Sequence, residues 1–99
     1  MFQWINKQGV TSSEGFTVQS MHRHYYHYIE GDHVVRVVVE PCRDHQTGVY
    51  YEEVAESSFD KWEPPFENEL LSAERRERIK QRFFDALEFM EIEHRPPVG

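Results

Sequence analysis

The sequence predicts an α+β domain, an antiparallel sheet of four or five strands with a C-terminal helix packed on one face. Three observations carry this. The runs HYYHYIE (24–30) and HVVRVVVE (33–40) are β-branched and aromatic, and they flank Gly31-Asp32, a two-residue hairpin signal. The segment SAERRERIKQRFFDALEFMEIE places Ile79, Phe83, Ala86, Leu87 and Met90 at helical spacing on one stripe. The chain has 99 residues, 38% of them hydrophobic and 14% aromatic, which suits one modest core and is too apolar for a disordered chain. The expected organisation is a single domain over residues 1–95 with a short C-terminal tail, 96–99.

The elements follow in order. Phe2, Trp4 and Ile5 suit an edge strand or a cover for the sheet. GVTSS (9–13) and GFTVQSM (15–21) read as strands around Glu14-Gly15, with Phe16 and Val18 inward by alternation. In the central hairpin, glycine at the first loop position suits a type II′ turn, which pairs Tyr28 with Val35, Tyr26 with Val37 and His24 with Val39. Those pairs form the core side, because the opposite face holds three charges. Tyr25, His27 and Arg36 then stand on the more polar face. PCRDHQTG (41–48) reads as a polar loop, with Pro41 ending the strand before it. VYYEEVAE (49–56) reads as the last strand, its Glu52-Glu53 pair marking an exposed edge or a bulge and a place where two copies could meet edge to edge. Ser72 is the expected N-cap of the helix, Glu74 and Arg78 an i,i+4 pair, and Pro96-Pro97 its limit. Phe84 and Phe89 lie off the main stripe.

Charge bounds the partners. The net charge is −7, and residues 52–69 hold seven carboxylates against one lysine. A local excess of this size repels nucleic acid and anionic lipid and steers a cationic partner inward. The single cysteine, Cys42, permits neither an internal disulfide nor a cysteine-based zinc site, which fits a reducing compartment. MFQWINKQGV is not a signal peptide, and no apolar run reaches the ~20 residues of a membrane span. The expected setting is cytoplasmic.

Catalytic and metal chemistry find little support. His22 and His24 share a strand face by spacing, and His45 could approach them to hold zinc, yet no HExxH-like pattern is present. A hydrogen-bonded histidine among core tyrosines is the simpler reading of His24. Cys42 precedes His45 by three residues, without a helix N-terminus or glycine-rich loop to stabilise a thiolate. The glycines are scattered as turn residues, and ERRERIKQR reads as a solvated helix face. No cofactor or metal is expected.

The segment EEVAESSFDKWEPPFENELL (52–71) is different. It combines carboxylates with Phe59, Trp62 and Phe66, and Pro64-Pro65 stiffen it. It is longer than a connection in a compact domain needs to be, and long ordered loops are frequently functional. Its plain reading is a strap whose aromatics tuck over the core. Its functional reading is a surface for a basic partner, formed by Glu52, Glu53, Glu56, Phe59, Asp60, Trp62, Glu63, Phe66 and Glu67, with Trp62 as the anchor.

A short acidic chain in which GVTSSEGFTV opens a small sheet and WEPPFENELLSAERRERIKQRFFDALEFM closes on a helix resembles bacterial immunity proteins of the contact-dependent growth-inhibition and polymorphic-toxin type. The resemblance covers most of the chain and lies in size and layout. It implies a non-enzymatic cytoplasmic inhibitor that binds a cognate toxin domain, frequently a basic nuclease, as a monomer or an edge-strand homodimer. The competing expectation is a small enzyme or ligand-binding protein, with a pocket between sheet and helix lined by Tyr26, Tyr28, Tyr50 and Phe83 around His24.

Overall fold

A computed structural model describes residues 1–98. It is an α+β fold: a curled sheet of seven strands among the described residues, and one C-terminal helix. The strands are β1 (Phe2–Asn6), β2 (Gly9–Ser12), β3 (Phe16–His22), β4 (Tyr25–Glu30), β5 (His33–Arg43), β6 (Tyr50–Ala55) and β7 (His94–Val98), and they neighbour one another in chain order. A 3-10 turn, Glu56–Asp60, precedes helix α1 (Ala73–Phe89).

The predicted hairpins form. Tyr28 pairs with Val35 and Tyr26 with Val37, and Gly31 sits at φ 60°, the left-handed value that its turn position requires. Alternation selects the core: Val10, Val18, Tyr26, Tyr28, Val35, Val37, Val39 and Val54 are buried and meet Ile79, Phe83, Ala86 and Leu87 of α1. Phe83 stands edge-on to Tyr26 with ring centroids 5.6 Å apart. Ser72 caps the helix, its Oγ accepting from the Arg75 amide at 3.1 Å.

The sheet is larger than the four or five strands expected. The additional strands are β1, expected as an edge strand or a cover, and β7, and the course of β5 is corrected as well. Pro41 does not end β5, which runs on to Arg43 and pairs Pro41 with Glu52, so β5 serves two neighbours in succession. Its first half pairs with β4 and its second half with β6. The chain after α1 also turns back as β7 and pairs in parallel with β6, matching Glu52 with His94 and Glu53 with Arg95. Residues 96–98, expected as a tail, are therefore strand. The Glu52-Glu53 stretch is not an edge either, because β7 covers it, and an edge-to-edge dimer there has no free strand to use.

The long connection has a structural task. Where β5 has β4 on one side, the strap seals the other side: Val38 donates its amide to Ser58 Oγ at 2.8 Å, and Glu63 donates its amide to the Val34 carbonyl at 2.7 Å. An open stretch of sheet edge is thereby closed without an added strand.

Candidate functional site

The strap places the predicted partner-binding residues in three different situations. Phe59 is fully buried and Trp62 is 4% exposed, so both belong to the core and neither offers a face to a partner. The expectation of Trp62 as a surface anchor is corrected on that ground: the strap must cover the β5 edge, and its aromatics supply the apolar cover. Phe66 is half-buried and stacks on His33 with centroids 3.8 Å apart, while Trp62 meets the same imidazole edge-on at 4.9 Å.

The second group is neutralised internally. Lys80 Nζ reaches Glu56 at 2.5 Å, and Arg76 reaches Asp60 at 2.6 Å. The helix face ERRERIKQR is thus not a plain solvated surface. Arg75 binds Glu30 at 2.5 Å, and Arg82 binds Glu30 at 3.2 Å while its guanidinium lies over the Phe16 ring. Glu30 also accepts from the Tyr28 hydroxyl, and burial together with that carboxylate pushes the phenol pKa upward. The expected Glu74–Arg78 pair is not among the ion pairs of the described residues; Arg75, Arg76 and Lys80 are the cations of these turns that reach β4 and the strap.

The third group remains without a cation. Glu53, Glu63 and Glu67 are half-buried and join no ion pair among the described residues. Glu52 points to the core side with Val54, and its Oε2 is buried without a hydrogen-bond partner. Desolvation raises its pKa, Glu40 adds to the rise, and His24 opposes it. Burial, with the nearby Glu52 charge, pushes Tyr26 up to about 12. Glu67 Oε2 is also buried without a partner.

The ligand-pocket alternative does not assemble as expected. Arg23 and His24 form the tight turn between β3 and β4, which leaves the His24 side chain 47% exposed beside Glu40 at 3.6 Å. Tyr50 is 68% exposed at the start of β6, remote from the packed Tyr26, Tyr28 and Phe83. His22 stacks on Tyr25 and meets the His24 ring at a tilt, whereas His45 lies in the exposed turn after Asp44. Among the described residues no three His, Cys, Asp or Glu side chains are grouped to hold a metal ion. Cys42 is half-buried on β5, opposite Tyr51.

Two aromatics outside the strap are exposed. Trp4 is 48% and Phe89 40% exposed, and their rings meet at 5.8 Å. The available signals were an aromatic residue off the helical stripe and a last helical turn with no basic residue. Comparison with protein-family models, with curated proteins and with solved structures finds no match to this chain. No helix among the described residues is long and apolar enough to cross a membrane.

Proposed function

We propose that this chain is a non-enzymatic binding protein of the immunity type, a cytoplasmic inhibitor that neutralises a basic, nuclease-type toxin domain. One observation supports the reading above others. The chain spends Arg75, Arg76, Lys80, Arg82 and Arg95 on its own Glu30, Asp60, Glu56, Glu14 and Asp44, and its excess carboxylates are left without cations. At a net charge of −7 this leaves a negative field at the surface. Such a field speeds capture of a positive cleft shaped for phosphates, and carboxylates can occupy that cleft.

The test is co-purification of the tagged chain from its native cells. The expected result is a basic protein in equimolar amount that arrests growth when expressed alone and ceases to do so with this chain present. Its association rate should fall about tenfold or more from low to high salt. Recovery of a small molecule with no protein partner would overturn the reading.

A further inference from the structure

Strand β1 and the C-terminal end of α1 form one continuous surface. Phe89 meets Trp4 at 5.8 Å and Phe2 at 5.4 Å, and Ile5 is also strongly exposed. Beside Trp4 a groove of about 210 Å³ opens over Tyr26, Met90 and Ile92. Ile92 continues into a hollow lined by Glu88, Glu91, Glu93 and His94. Single exposed apolar residues are ordinary, but an exposed tryptophan and phenylalanine in mutual contact beside a groove have hot-spot composition. Strand β1 is also an end of the sheet, paired with β2 alone among the described residues, so its other edge offers backbone donors and acceptors.

The charge at the end of α1 is one-sided. No basic residue lies in the last turn of α1, where the carbonyl end of the helix already carries partial negative charge. Glu88, Glu91 and Glu93 join no ion pair among the described residues. Lys7 is the cation that lines the neighbouring groove.

We infer that this end of the molecule is the docking surface for a basic protein segment. The segment is extended, pairs with the free edge of β1, covers Trp4 and Phe89, and sets its lysines or arginines against Glu88, Glu91 and Glu93. The inference rests on the basic-partner reading above and gives it a location, away from the strap whose aromatics are buried. A second copy of this chain fits less well. A two-fold interface through β1 sets the same patch against itself, bringing two acidic rims together.

The test uses a short peptide alternating lysine and valine as probe, with a glutamate-and-valine peptide as control, titrated into isotopically labelled protein. Expected are amide shifts in residues 2–6 and 88–93, with binding weakened at least tenfold by Trp4→Ser and by the combined Glu88→Lys, Glu91→Lys and Glu93→Lys changes. Glu53→Lys, Glu63→Lys and Glu67→Lys together should change it little. Each variant is checked for an unchanged fold by circular dichroism, and Phe89→Ser is the substitute if Trp4→Ser does not fold. Lysine-peptide shifts confined to residues 52–69, lost on reversal of charges there, would overturn the location and leave the basic-partner reading standing. Preference for the glutamate peptide would overturn both, and binding of neither would overturn the docking inference, leaving the basic-partner reading to the co-purification test. A dimer with shifts along β1 and no peptide binding would assign the edge to a second copy and reject the inference.

Discussion

The imidazole of His33 lies on the ring of Phe66, with centroids 3.8 Å apart and planes 17° from parallel. Its Nδ1 contacts the neighbouring Asp32 at 2.9 Å and its Nε2 contacts Glu69 at 3.0 Å, so one side chain at the start of β5 holds the strap through Phe66 and Glu69. The contact with Glu69 raises the His33 pKa most, burial works against it, and Asp32 adds to the rise. A folded-state value above the unfolded one means that this contribution is fully present below the unfolded pKa of about 6.5 and is lost as pH rises through the folded value. Thermal unfolding of the parent and His33→Gln is therefore expected to differ most on the acid side of this window and to converge above it. A difference that grows with pH would contradict the clamp.

Glu30 is the hub between sheet and helix. It accepts from Tyr28, Arg75 and Arg82, and its side chain is 16% exposed. Glu30→Ala leaves a buried phenol and the Arg75 guanidinium without their acceptor and removes the nearer of the two carboxylates that Arg82 meets, and should cost about 2–3 kcal/mol. Urea unfolding at neutral pH measures it. A cost below about 0.5 kcal/mol would show that water replaces the carboxylate without penalty.

The two tryptophans should behave oppositely. Trp62→Ala empties a packed site and is expected to lower stability by about 3–5 kcal/mol. Trp4→Ser removes a side chain that is half in solvent and should cost about 1 kcal/mol or less, its main effect falling on binding. Equal losses in denaturant unfolding would mean that Trp4 is part of the core.

Ser72→Ala removes the side-chain acceptor of the Arg75 amide at the start of α1. The expected loss is about 1 kcal/mol, and Ser72→Asp should restore it, since a carboxylate also complements the positive end of the helix. Unfolding midpoints of the three proteins decide this.

Period-two alternation is a local property, and it was sufficient to place Tyr26, Tyr28, Val35 and Val37 on one face, with the register the turn at Gly31 imposes. Helical spacing likewise picked out Ile79, Phe83, Ala86 and Leu87 as the buried stripe, with Ser72 before it. These readings succeed because the interacting residues are neighbours in sequence or one turn apart. The continuation of β5 past Pro41, the return of residues 94–98 as a parallel strand, and the sealing of the β5 edge by the strap depend on distant pairings that no local pattern encodes.

The candidate site shows the same division. Composition located the negative charge along the chain, because charge is additive and visible residue by residue. Only tertiary structure decided which carboxylates are consumed: Arg76 and Lys80 come from the helix to Asp60 and Glu56, across a span of sequence that spacing cannot bridge. It also turned Phe59 and Trp62 inward and left Trp4 and Phe89 outward, since an aromatic side chain goes wherever folding leaves a sheet edge or helix flank to cover.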